Sequence, residues 1–425
     1  MSTAFPKIIV GTTLVMEIML GSILTFSNLH SPYAFVGIDY WVFAAAGHVF
    51  SQGGPIYSQS AILHALYALN PVPRGIAHPG PTFTYLPGIA MLLVPFGKIS
   101  YWAGFWLWSF LSLISVLWSV HCWWRWTRPH IPYWVWMSLI ILSFPTLSGL
   151  HLGQFDAFLL GLLSLSYLAY RYQQWFWIGV LAILAAAIKP QLLLWLPFGY
   201  GLLVYRHPHY RWHFVGGIIT AMIGLVIIPW LLRPFIWHGY FTAITSLGAL
   251  QPNWSSLSAL IRWLPGLQSA SSGIADPWVD LIFVLGLTIL GLWLRHLHSA
   301  AFTPAQFSAT TNWMLYLAVP IFIWTAFTPY SHSNDLIILL PLLGWGLALK
   351  PTPTQRLWTW LPLILLLIGE GVETLVFQFI PTYNTVDSIA LLLLLPVIIG
   401  WLRQPGFWFG QTPDPSPLPR PENAL

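Results

Sequence analysis

Charge is what this chain of 425 residues has least of: 6% of its residues are Asp, Glu, Lys or Arg, against about 25% in a soluble domain. A water-soluble monomer is excluded. Lys and Arg total 16 against 11 Asp and Glu, and the resulting +5 is too sparse to form a basic patch, so nucleic acid is not an expected partner. Cysteine is nearly absent too. The single Cys122 allows no internal disulfide, thiolate zinc site or iron–sulfur cluster. The apolar run 8–26 follows one positive charge, Lys7, and carries no small-residue cleavage motif, which reads as an uncleaved first membrane helix.

What fills the chain is apolar: 57% of residues are hydrophobic and 16% aromatic. A bilayer core about 30 Å thick needs roughly 20 apolar residues per helix. Such runs recur at 8–26, 101–121, 133–148, 154–170, 175–188, 190–205, 213–233, 278–294, 311–327, 334–349, 357–376 and 386–402. The expected fold is an all-α polytopic membrane protein of about twelve spans. The segment 82–97, TFTYLPGIAMLLVPFG, is apolar but broken by Pro87 and Pro95.

Charge decides its role. If 82–97 does not cross, Arg125 with Arg128, Arg206 with Arg211, Lys350 with Arg356, and Lys7, Arg171, Arg295, Arg403 and Arg420 share one face. Arg74, Lys98, Lys189, Arg233 and Arg262 remain on the other, in agreement with the positive-inside rule. The segment is therefore expected to be re-entrant or interfacial, with both termini cytoplasmic. The hydrophilic stretches 27–81 and 234–277 then open on the outer face, together with HLGQFD and TPYSHSND. Residues 1–403 form the membrane domain, with 27–100 and 234–277 as its large outer loops. The Pro-rich tail 404–425 reads as a disordered cytoplasmic extension.

With eleven carboxylates in the chain, each can be weighed singly. Asp414 and Glu422 lie in the tail, Asp276, Asp280 and Asp387 flank helix starts, and Glu370 and Glu373 share one helical face where pairing is the simplest reading. Asp39 lies at the start of GIDYWVFAAAGHVFSQGGPIY, expected to be a short amphipathic helix on the outer surface, anchored at the interface by Tyr40, Trp41 and Phe43. An N-terminal capping aspartate is its default reading, and a general base above the lipid boundary is the functional one. Asp156 likewise reads first as a cap. Lys189, followed directly by Pro190, is either a snorkelling lysine or a cation for a phosphate. Tyr330, His332, Asn334 and Asp335 form a polar knot between two apolar spans, open to substrate hydrogen bonding or simple solvation. No metal is expected, because Asp39, Asp156 and Asp335 form no local cluster in the sequence.

The ordered series IDYWVFAAAGHVFSQGGPIY, FTYLPGIAMLLVPFG, LHLGQFDAFLLGLL, AAAIKPQLLLWLPF, NWSSLSALIRWL and TPYSHSNDLIILLPLLGW resembles membrane glycosyltransferases of the C-type superfamily. The resemblance, over residues 35–345, is nearest to glycosyltransferase family 87, the polyprenol-phosphate-mannose-dependent mannosyltransferases. It implies a C-type helix bundle, an essential aspartate in the first outer loop at Asp39, and no cofactor. It further implies a polyprenyl-phosphate sugar donor, a lipid or glycan acceptor, and a cell-membrane enzyme working on the periplasmic or extracellular face. Lys189, Arg74 and His332 are then candidates to stabilise the leaving phosphate. Tyr85, Gln154, Asp156, Asn253, Trp254, Tyr330 and Asp335 are candidates for sugar or acceptor contacts. Two departures stand out: GQFD carries Asp156 where the family often has an amide, and Leu86 separates Tyr85 from Pro87 where the family reads Tyr-Pro-Pro. The competing class is a transporter or flippase with Glu370, Glu373 and His332 as proton carriers.

Overall fold

The computed structural model describes residues 37–69, 83–129, 131–189, 193–205, 207–246, 277–299, 308–327, 333–348, 364–366 and 385–402. The run 8–26, most of 357–376 with Glu370 and Glu373, the tail, and the candidates Arg74, Asn253, Trp254, Tyr330 and His332 lie outside the described residues. Among the described residues every regular element is helical. The elements begin with α1 (Ile38–Gln52), α2 (Gln59–Leu69), α3 (Pro87–Leu92) and a 3₁₀ turn (Phe96–Lys98). There follow α4 (Tyr101–Thr127), α5 (Tyr133–Ile141), α6 (Phe144–Leu152), α7 (Asp156–Arg171), α8 (Trp175–Ile188) and α9 (Trp195–Tyr205). Helix α10 (Arg211–Met222) runs through a π stretch (Ile223–Ile227) into Ile228–Leu232, and is followed by α11 (Ile236–Ser246) and α12 (Pro277–Ser299). Helix α13 (Ala309–Trp313) runs through a second π stretch (Met314–Ala318) into Val319–Phe327. A 3₁₀ turn (Ser333–Leu339) then leads into α14 (Leu340–Ala348), and α15 is Thr385–Leu402.

Among the described residues three helical runs are long and apolar enough to cross a membrane: Tyr101–Thr127, Pro208–Leu232 and Ala309–Phe327. The pair α5 and α6, bent by 48°, makes a fourth if it is one broken span. These apolar helices point to a membrane protein. Both π stretches have a common cause. Pro229 and Pro320 each follow one closely, and proline removes an N–H and crowds the carbonyl four residues back, at Leu225 and Tyr316; a widened turn there relieves the crowding.

The segment 82–97 contributes a helix of only six residues, opened by Pro87 in its first turn. At 1.5 Å per residue it spans about 9 Å and cannot cross a bilayer core. It packs beneath α1. That packing corrects the expectation for α1, which is a core helix rather than an amphipathic surface one. Every residue from Tyr40 to Gly47 is buried. Tyr40 is enclosed by Phe96, Tyr101, Phe105 and Trp108, and Trp41 donates its indole N–H to Leu66 O at 3.2 Å, so these rings face protein instead of lipid. The small residues Ala44, Ala45, Ala46 and Gly47 permit the approach. A Cβ on Gly47 would strike the Leu93 carbonyl, and one on Gly97 would strike the His48 amide.

The two large loops meet. Arg233, directly after Leu232, donates to Phe50 O at 2.9 Å, and Tyr57 lies against Tyr240 of α11 with ring centroids 5.7 Å apart. The described parts of these stretches, 37–69 and 234–246, therefore lie against each other.

Candidate functional site

The site is built where the start of α1 meets the corner between α6 and α7. Helix α6 ends on Gly153 at φ 72, a left-handed conformation that glycine adopts without strain, and the Gln154 N–H turns back to Gly149 O at 2.9 Å. The start of α1 is tied to the same corner, since the Gly37 N–H donates to His151 O at 2.7 Å. These two fixtures bring Asp39 and Gln154 together across 115 positions of sequence, and Gln154 Nε2 donates to Asp39 Oδ2 at 2.6 Å.

Asp39 is not a capping residue. Gly37 occupies the N-cap position of α1 with no side-chain cap, and the carboxylate, one residue inside the helix, faces the Gln154 amide. It is half-buried. Burial pushes its carboxyl up to about 6, opposed by the Lys189 charge and the Gln154 hydrogen bond, while Asp156 adds to the rise. A carboxylate in that range is matched to proton transfer near neutral pH.

Asp156 is not a cap either. Phe155 takes the N-cap position of α7 without a side-chain bond, and Asp156 turns inward to Lys189 Nζ at 2.6 Å. The same ammonium donates to Asp335 on the 3₁₀ turn that packs against α6 and α7. All three are almost fully enclosed, at 1% (Asp156), 3% (Lys189) and 0% (Asp335) exposure. Two expectations change. Lys189 neither snorkels nor stands open to an anion, because two carboxylates already occupy it. Asp156 and Asp335, far apart in sequence, do converge, although among the described residues no three His, Cys, Asp or Glu side chains are placed to hold a metal. Charges at membrane depth are retained when paired, and with two carboxylates to one ammonium the pairing here leaves a formal excess of one negative charge.

Tyr85 lies beside this core. Its ring packs on Phe43 and Phe155, each at 5.3 Å between centroids, and its carbonyl accepts from the Tyr57 hydroxyl at 2.8 Å. Phe155, between Gln154 and Asp156, also lines an apolar cavity of about 420 Å³ with Trp108, Phe158, Leu162, Leu184 and Ile188. Ile188 is the residue before Lys189. Polar corner and apolar cavity thus adjoin at two places in the chain. The aromatic enclosure by Phe43, Trp108 and Phe155 escaped the sequence reading, because the same rings suit lipid interface and protein core equally. The Lys189 clamp had a signal: three ionisable groups bordering apolar runs, each needing a partner.

The family model for glycosyltransferase family 87 matches residues 83–320, more than half the chain. The chain belongs to glycosyltransferase family 87. This family 87 protein is therefore a glycosyltransferase, with Tyr85, Gln154, Asp156 and Lys189 inside the matched stretch and Asp39 and Asp335 on either side of it. Comparisons with curated proteins and with solved structures give no match.

Proposed function

We propose that this family 87 enzyme transfers a hexosyl group, mannosyl by resemblance, from a polyprenyl phosphate to a hydroxyl of a lipid or glycan acceptor, with inversion at the anomeric carbon. The observation that carries the reading is Asp39: a half-buried carboxylate shifted toward neutrality and held by the neutral amide of Gln154, whose neighbour in the chain, Phe155, lines an apolar cavity suited to a lipid tail. The acceptor oxygen attacks the anomeric carbon and the carbon–oxygen bond to phosphate breaks with its electrons passing to phosphate. The acceptor proton goes to Asp39. No general acid is required, because phosphate leaves as a weak base, and Arg74 and His332 are the proposed donors to its added charge. Lys189 joins them only by releasing Asp156 or Asp335. Tyr85, Asn253, Trp254 and Tyr330 are the proposed sugar and acceptor contacts. In this reading the chain makes about twelve spans, with both large loops on the outer face of a cell membrane.

The test is purified protein in detergent given a panel of labelled polyprenyl-phosphate sugars and a total lipid extract as acceptor pool. An alpha-linked mannosyl product from the beta-linked donor supports the reading. Retained configuration, or near-normal turnover by Asp39→Asn, overturns it. The transporter alternative rests on Glu370, Glu373 and His332, and nothing observed favours it over the transferase given by family membership.

A further inference from the structure

Asp39 has two carboxylate oxygens, and the described residues engage only one. Gln154 Nε2 holds Oδ2, which leaves Oδ1 for a proton. The other end of the same amide, Gln154 Oε1, is enclosed and has no hydrogen-bond partner among the described residues. The backbone around it is fixed: Gly153 in its left-handed turn, the Gln154 N–H on Gly149 O, and Asp156 clamped to Lys189 two residues on. The side chain of Gln154 is therefore held at its base, and its amide is tied on the Nε2 side alone among the described residues.

Resting on the assignment of Asp39 as base, we infer that Gln154 is its positioning residue and serves both of its protonation states. With Asp39 ionised, the amide presents Nε2 and donates, as seen. Once Asp39 has taken the acceptor's proton, the acid can donate to Oε1 after the amide turns over, and among the described residues Oε1 has no hydrogen bond to give up in that turn. The proton stays on Asp39 throughout, and Gln154 neither gains nor loses one. A primary amide can both donate to a carboxylate and accept from a carboxylic acid without itself changing charge; an ionised glutamate and leucine cannot. The elements packed against α1 bring further titratable groups, His64, Lys98, Tyr101 and His151, but the charges acting on Asp39 are Lys189 and Asp156.

The experiment uses the full chain in detergent, mannosyl polyprenyl phosphate as donor and a total lipid extract as acceptor pool, with kcat and KM measured against pH. Gln154→Leu removes donation to the ionised base, and is expected to lower kcat by about tenfold to a hundredfold and raise the acid limb of kcat/KM by roughly one pH unit, with little change in KM. Gln154→Glu, of the same shape, adds a like charge and should raise that limb further. Both should elute as wild type by size exclusion, and the glutamate variant carries the test if the leucine one does not fold. Asp39→Asn is measured alongside. If it retains turnover, the base assignment fails and this inference with it. If it is inactive while the acid limb stays in place in the Gln154 variants, the inference alone is overturned.

Discussion

Asp39 and Asp156 each sit in the first turn of a helix, and both are tied to one corner of the chain, yet they meet opposite partners. Asp156 is sealed at 1% exposure against an ammonium that it shares with Asp335. Asp39 is half-open and faces an amide. An ammonium neutralises a carboxylate and fixes it; an amide orients it and leaves its charge available. On the proposed reading, partner and exposure together set the two acids apart: Asp156 is a structural acid and Asp39 the reactive one.

The sharpest way to break that comparison is to neutralise each side. Asp39→Asn should cut transfer by about a thousandfold, read as product formed per unit time, within the range of lost general-base catalysis. It should not weaken the fold at neutral pH. The Asp39 carboxyl is raised by burial, so its contribution to stability is full below the unfolded value near 4 and is lost as pH rises through about 6. The asparagine variant should therefore melt no lower than wild type at pH 7.5 and forfeit that parity near pH 4. Lys189→Met predicts the reverse, a stability defect of about 3–5 kcal/mol, because two buried carboxylates lose their counter-charge. Adding Asp156→Asn and Asp335→Asn to it should recover much of the melting temperature in detergent; no recovery would show that Lys189 acts outside the clamp.

Smaller effects sharpen the contrast. Wild-type kcat/KM should fall about tenfold per unit as pH drops below about 6, since only ionised Asp39 accepts a proton. A flat profile from pH 7 to 5 would count against the assignment. Asp156→Asn should be the mildest, within about threefold in kcat, because Asp335 still holds Lys189 and one ammonium then meets one carboxylate.

Much of this was legible in the chain. The runs at 101–121, 154–170 and 175–188 appear as α4, α7 and α8, because long apolar stretches free of proline leave helix as the way to satisfy the backbone. The run at 133–148 became a bent pair, where Ser143 and Pro145 interrupt the hydrogen-bond ladder. Tyr40, Trp41 and Phe43 were placed at the lipid interface because ring content does not say which apolar phase receives the ring. Asp156 read as a cap because the local sequence shows a helix start and hides a lysine 33 positions away. The contact of Asp39 with Gln154 was invisible to spacing; the residues alone offered Asp39 as a cap or a base, the resemblance favoured the base, and Gln154 stood only among the candidate substrate contacts.

With Asp39 as the proposed base, the glycine contacts beneath α1 bear on how the enzyme would admit its substrates. With Gly47 seated on the Leu93 carbonyl and Gly97 on the His48 amide, backbone rests on backbone and the helix carrying the proposed base is packed with no side chain between. Asp39 is an anvil rather than a jaw. Donor and acceptor must be delivered to it by movement elsewhere, and a methyl group at either glycine would lift the anvil out of reach of the blow.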